Sequence, residues 1–378
     1  MNVKRPEHSF VRFADVEHIS INDLLKGEIT VTTHPESLAS TPTVRGEVSV
    51  SGDELRLLSK VPSGRWVSAD ALARELGIGV DVADGLVEKG LLLTDGEDAA
   101  AVTAREREAT YAATFWNPHA AFHHFNAKWR DRTGNLAQQA ADIAAFAEPE
   151  PDPYYEYSAP RRRQSLSPVS EDRVLHQLLR KRRTKRAWDA NRPLPLSELS
   201  AVLGHVYGSQ GEAPPSLYQA IKKTSPSGGG LHPVEVFPIV RNVEGLAPGL
   251  YHYNVRSHAL DLLREMPREE LAAVELTFLA GQNYFVGAAV LFVMVVRFYR
   301  HNWKYRRHFK ALKVVHMDAG HLSQTFYLVC AERGLGAFFT GAVNEENIEA
   351  ALGLDPLQFG VVGINGCGYA AEFDPMSL

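Results

Sequence analysis

The residues best equipped for chemistry form a run of cations. Six of the seven side chains at positions 180–186 are Lys or Arg: Arg180, Lys181, Arg182, Arg183, Lys185 and Arg186. The chain as a whole carries a formal net charge of −5. Positive charge this localised on an acidic protein calls for a localised anion. Phosphate is the natural candidate, because a guanidinium pairs with it through two parallel hydrogen bonds. Nucleic acid is the weaker candidate, since no aromatic side chains interleave the cations to stack bases.

A second stretch, residues 224–235, reads Thr-Ser-Pro-Ser-Gly-Gly-Gly-Leu-His-Pro-Val-Glu. Gly228, Gly229 and Gly230 are costly to order, because glycine loses the most backbone freedom on folding. Such a triplet makes sense where backbone passes close to something flat or large; otherwise it is a surface loop. Pro226 and Pro233 stiffen its two ends. His119, His123 and His124 include a His-x-x-x-His spacing that can ligate metal from one helix face. No Glu follows the first His, so the zinc-protease pattern is absent and an aromatic-rich helix face is the plainer reading. No Gly-x-Gly-x-x-Gly opens a helix after a strand, which leaves a Rossmann nicotinamide site unsupported.

These residues need elements to hold them. The 378-residue length favours two domains, and the 45% hydrophobic content is enough for a sizeable core. Two cysteines, Cys330 and Cys367, form neither a disulfide framework nor a zinc site and suit a reducing compartment. Residues 1–10 are polar and charged, unlike a signal peptide. The apolar run at 286–296 is too short to span a bilayer. The expectation is a soluble cytoplasmic protein with no membrane partner.

In chain order, 11–13 and 28–31 read as short strands and 32–45 as loop. Helices follow at 53–60, at 69–76 (capped by Ser68 and ended by Gly77) and at 80–89, then a strand at 91–94 and a turn at Asp95-Gly96. Three short helices and a hairpin, within about 48–98, make a winged-helix-like pattern. Its third helix carries Asp81, Asp84 and Glu88 against a lone Lys89, the wrong charge for DNA. A structural appendage or a peptide clamp that adds a strand beside the wing fits better. Residues 103–130 read as an amphipathic helix. Pro149, Pro151, Pro153, Pro160 and Pro168 then mark an extended linker that holds Arg161, Arg162 and Arg163. The expected division is a domain at 1–146, a linker at 147–169 and a second domain at 170–378. The second domain reads as a helix from 174, a helix at 195–206, the glycine loop, and strands at 234–240, 249–255, 259–263 and 288–297. Further helices fall at 268–280, 314–332 and 344–352, with a last strand at 359–364. Helices and strands mix without regular alternation, an α+β class.

Several motifs recur in a fixed order: Arg-Arg-Thr-Lys-Arg at 182–186, Pro-Ser-Gly-Gly-Gly at 226–230, Trp-Lys-Tyr at 303–305, Asp-Ala-Gly-His-Leu-Ser-Gln at 318–324 and Gly-Leu-Gly-Ala at 334–337. In that order, over about 171–368, the chain resembles the nitroreductase superfamily of FMN enzymes. Within it, the chain resembles the SagB-type dehydrogenases of thiazole- and oxazole-modified peptide biosynthesis, where a winged-helix-like N-terminal extension also occurs. The resemblance implies a nitroreductase-like α+β fold that dimerises, with FMN at the dimer interface. It implies a precursor peptide as substrate, a cyclodehydratase as partner and no nucleic acid.

Carried over by residue, the resemblance assigns Arg182, Thr184 and Arg186 to the flavin phosphate and ribityl chain. It sets Pro226, Ser227 and Gly228 against the isoalloxazine, Thr340 and Gly341 near flavin N5, and Gly334 and Gly336 in the late glycine segment of the cofactor site. Lys304 and Tyr305 match a catalytic Lys-Tyr pair; without the resemblance they read as part of a solvated helix or loop. Oxidising an azoline to an azole removes a hydride and a proton, so a lysine of lowered pKa is a suitable base. The family's basic residue near the C-terminus has no counterpart after residues 363–369, which shifts weight to the early arginines. His232 stands where an aromatic is common, and His321 and Gln324 share a helix face suited to a dimer interface. The alternatives are a flavin reductase of nitro compounds or dehydroamino acids, and a non-catalytic peptide-binding scaffold.

Overall fold

The structure is a computed structural model and describes residues 1–19, 26–27, 31–145, 153–154, 164, 166, 173–214 and 218–372. The proline-rich linker, with Arg161, Arg162 and Arg163, lies outside the described residues apart from four isolated positions. The chain forms two compact units. The first comprises residues 1–128, 297–315 and 354–360, and the second 129–296, 316–353 and 361–378. They do not coincide with domains cut at the linker: the segment carrying Lys304 and Tyr305 packs with the N-terminal chain.

In the first unit three helices, Gly52–Lys60, Ala69–Leu76 and Val82–Glu88, accompany a three-stranded sheet ordered Val67–Ser68, Asn2–Lys4, Leu93–Thr94. Their ends follow from sequence. Ser51 and Glu54 satisfy each other's backbone N–H groups in a capping box. Ser68 Oγ accepts from Ala71 N, and Gly77 closes that helix at φ 64°. Val3, Leu57, Leu58, Ala83, Leu86 and Leu91 share one buried core. Lys89, the lone cation of the third helix, is held by Glu54 Oε1 at 2.6 Å.

Two expectations for this unit are corrected. Residues 32–45 are not all loop: Val31–Ser40 pairs antiparallel with Phe10–Ile19 over ten residues, and Val48–Val50 extends that sheet. Much of the strand is exposed, so little apolar alternation marks it. Residues 103–130 are two helices, Ala99–Ala113 and Pro118–Ala127. Phe115 at φ 56° breaks the run, and Asn117 caps the second helix with Pro118 in its first turn.

The second unit is built on a six-stranded sheet ordered Gly336–Thr340, Phe359–Gly368, Val290–Arg297, Val234–Val240, Gly249–Asn254, Ala259–Glu265. Val290 to Val296 are fully buried and pair antiparallel with Val240 to Val234. The helix Ala311–Glu332 spans 22 residues. Its Ala319, Phe326 and Cys330 recur at helical spacing and are buried, with Phe326 edge-on to Phe292 at 5.1 Å. The last strand runs four residues beyond the expected 364. Its glycines are required there: a Cβ at Gly366 would lie 2.1 Å from the Phe338 ring, and one at Gly368 2.8 Å from Ala289 N. Both cysteines are free and buried.

Candidate cofactor and substrate sites

The basic run leaves the helix Val174–Lys181 at Arg182 and turns extended along the strand Gly336–Thr340. Lys185 N donates to Ala337 O at 2.9 Å, and Thr184 bridges Ala337 in parallel. Gly336 permits this approach, since a Cβ there would lie 3.2 Å from Lys185 Cβ and 3.1 Å from the Trp188 ring. Gly334, at φ +70°, ends the long helix.

Tyr327, which sequence reasoning missed, ties these parts together. Its hydroxyl lies 3.0 Å from Thr184 Oγ1 and accepts from Phe339 N at 3.0 Å, while the Arg182 guanidinium sits 5.3 Å from its ring centroid. An aromatic inside a long helix reads as core, so only its place nine residues after Asp318 on the same helix could have drawn notice.

The result is a pocket of about 160 Å³ lined by Lys181, Arg182, Arg183 and Lys185 with Gly334 and Gly336. No carboxylate lines it, and none of the four cations pairs with a carboxylate among the described residues. Arg183 donates to the carbonyls of Arg180 and Arg182 at the helix end. Arg186 is not part of this lining. Its charge acts on Tyr284, opposing the rise in that hydroxyl's pKa caused mainly by burial.

The glycine loop is a separate feature, fastened to the long helix. Asp318, buried, accepts from Ser227 Oγ at 2.5 Å and from Gly228 N at 3.0 Å. Ser225 Oγ meets Thr325 Oγ1 at 2.7 Å, about two turns further along the same helix face. Ser227 Oγ also receives His232 N at 3.0 Å. Gly229 and Gly230 both adopt φ 65°, so turn geometry itself explains the triplet. Pro226, Ser227 and His232 line a small depression with Asp318.

Thr340 and Gly341 lie where the edge strand ends. Thr340 is buried, donates to Gln282 Oε1 at 3.1 Å and accepts from Ala342 N at 3.1 Å. Gln282 Nε2 returns to Ala342 O at 2.6 Å, so this backbone is locked on both sides. It borders a cleft of about 850 Å³ that includes Ala342 and Tyr284.

Lys304 and Tyr305 occupy the last two positions of the helix Phe298–Tyr305 in the first unit. The Lys304 ammonium is 5.2 Å from the Tyr305 ring centroid, and that ring lies 5.0 Å from buried His301. A helix end is where neighbouring side chains escape the 100° divergence of regular helix. His321 and Gln324 are exposed on the long helix. His124 packs buried against Trp116 and Phe298, and His119 stacks on Phe309, as an aromatic helix face. Among the described residues no cluster of His, Cys, Asp or Glu is able to hold a metal, and no helix is long and apolar enough to cross a membrane.

Residues 179–369 match the nitroreductase family, half of the chain. The chain belongs to the nitroreductase family. A protein of Methanocaldococcus jannaschii with a provisional nitroreductase name, MJ1384, is 31% identical over 186 residues, covering 49% of this chain and 87% of that protein. The trifolitoxin-processing protein TfxB of Rhizobium leguminosarum bv. trifolii is 31% identical over 137 residues, 36% of each chain. Among solved structures, the E. coli microcin synthetase McbBCD complex with truncated pro-MccB17 bound aligns at 20% identity and a TM-score of 0.46. That alignment covers 64% of this chain and 90% of the matched one. As a nitroreductase-family chain, its basic segment, glycine loop and strand-end backbone all fall inside the matched range, as do Lys304 and Tyr305.

Proposed function

We propose that this chain is an FMN-dependent dehydrogenase of ribosomal peptide maturation that oxidises azoline rings to azoles. The observation that carries this is the cation-lined pocket at Arg182 and Lys185, built against two glycines and free of carboxylates. Likeness to a trifolitoxin-processing protein supports peptide as the substrate class.

The pocket's donor set fits the phosphate of FMN: guanidinium and ammonium groups face one small space, and charge-assisted hydrogen bonds to phosphate are among the stronger polar contacts. Arg182 and Lys185 would hold the phosphate, Thr184 the ribityl chain, and the loop at Pro226, Ser227 and Gly228 the flat ring system. The locked backbone at Thr340 and Gly341 would meet the ring's reactive edge. When bound, FMN supplies the acceptor for the hydride that leaves the azoline.

The chain's own residues handle the proton. Lys304 takes it from the ring carbon as general base, a role typically worth roughly 100- to 10,000-fold in rate. Tyr305, beside it, relays the proton or holds the ring. The precursor peptide is the partner in catalysis, a cyclodehydratase supplies the azoline, and two copies of the chain form the working dimer.

The test is mass spectrometry of an azoline-containing peptide incubated with the purified protein and no nicotinamide. The expected product is lighter by two hydrogens. An unchanged azoline, with oxidation of NADPH in the presence of nitro compounds instead, would favour a reductase.

A further inference from the structure

The large cleft beside Ala342 has a wall that the family match does not include. Residues 129–134 precede position 179, yet they are fastened into the second unit by a ladder of hydrogen bonds. Trp129 N donates to Glu345 Oε2 at 2.8 Å, and Asp131 and Asn347 exchange bonds at 3.0 and 2.7 Å. Arg132 and Asn344 exchange bonds at 2.9 Å each, and Gly134 N donates to Ala280 O. Asp131 and Ala280 both sit at positive φ, 51° and 49°, which is backbone held in place by its surroundings. Immediately after, Asn135 caps the helix Leu136–Ala144.

This wall carries specific chemistry. Arg132 lies 4.8 Å from the Trp129 ring centroid and is the cation of the lining, whose carboxylate, Asp142, accepts from Gln138 Nε2 at 2.7 Å rather than pairing with it. Asn135 spends its oxygen on Ala137 N and Gln138 N, which leaves its NH2 group to donate. The amides of Gln139 and Asn283, also on the lining, have no partner among the described residues. Amides both donate and accept, which matches the alternating groups of an extended peptide backbone. The volume of about 850 Å³ is within the range of pockets that enclose a ligand. Gln282 forms the floor and is bonded to both Thr340 and Ala342, so the cleft opens beside the strand-end backbone already assigned to the reaction site.

We propose that this cleft binds an extended segment of the substrate peptide, with an acidic side chain against Arg132. The purpose assigned to that segment rests on the peptide-oxidation reading; its binding does not.

The test is fluorescence anisotropy with the full chain and two fluorescein-labelled heptapeptides, Gly-Ser-Gly-Glu-Gly-Ser-Gly and its Gln counterpart, neither containing an azoline. The Glu peptide binds more tightly than the Gln peptide. Arg132→Gln weakens the Glu peptide about tenfold or more and erases the difference. Asn135→Asp, which keeps the cap but removes the amide donor and adds a negative charge, also weakens it. Unchanged melting temperatures show that both variants fold. Equal affinity for the two peptides, wild-type affinity in both variants, or no saturable binding up to about 1 mM would overturn the proposal. If binding follows Arg132 but azoline peptides are never oxidised, the cleft stands and the reaction assigned to it fails.

Discussion

Arg182 and Arg186 are four positions apart in one basic motif, yet only Arg182 lines the cation pocket. The positive charge of Arg186 instead opposes the burial-driven rise of the Tyr284 hydroxyl's pKa. Arg182→Ala should therefore raise the FMN dissociation constant about 10- to 150-fold, the equivalent of a lost charged hydrogen bond of roughly 1.5–3 kcal/mol. Arg186→Ala should raise it less. Flavin fluorescence titration measures both, and wild-type affinity in Arg182→Ala would remove the pocket's assignment. Charge density made this site visible in sequence, because six cations in seven residues have no packing explanation. Tyr327 was not visible, because a tyrosine on a long helix is indistinguishable from core until its hydroxyl is seen joining Thr184 to Phe339 N. Asp318 was visible as part of a motif, but its task of holding Ser227 and Gly228 is a contact across 90 residues and more.

At the scale of elements, signals lodged in the local chain survived translation into structure. Ser68 and Gly77 bound the helix Ala69–Leu76 as read, because a cap and a left-handed stop are properties of single residues. The strand Val31–Ser40 is poorly legible because it pairs with the preceding strand Phe10–Ile19 yet leaves most of its residues exposed, so no apolar alternation marks it. The Asn117-Pro118 helix start was present in sequence but overridden by apolar periodicity running through it. The last strand was cut short at 364 because Asn365, Gly366, Cys367 and Gly368 do not look like strand formers. The missing side chain of Gly366 leaves room for the Phe338 ring, which is stacked on Phe285 at 3.9 Å. Gly366→Ala should destabilise the protein by about 1–3 kcal/mol through overpacking, read as a lower urea midpoint. An unchanged midpoint would show that Phe338 yields.

The chain of 378 residues carries an acidic net charge, and among the described residues an apolar helix face stands exposed. On the helix Val174–Lys181, Val174, Leu175 and Leu179 are 72%, 57% and 46% exposed. A second copy would cover such a face. Sedimentation should report twice the 41.8 kDa chain mass, and Leu175→Glu should shift the population toward the single chain. A monomer in the wild type would contradict the dimer. Proline content in a sequence says nothing of which distant segments join. The segment 297–315, with Lys304 and Tyr305, groups with residues 1–128, a grouping across more than 150 residues of sequence that local signals do not carry.

On the proposed function, bound FMN is reduced directly by an azoline peptide, with Lys304 as the base. Anaerobic stopped-flow absorbance in the absence of nicotinamide tests it most directly. Azoline peptide is expected to bleach the flavin of the wild-type protein, and Lys304→Ala to keep its yellow colour but bleach at least about 100-fold more slowly. Bleaching of Lys304→Ala at the wild-type rate would show that Lys304 is not the base, and no bleaching of the wild type would contradict the dehydrogenase itself.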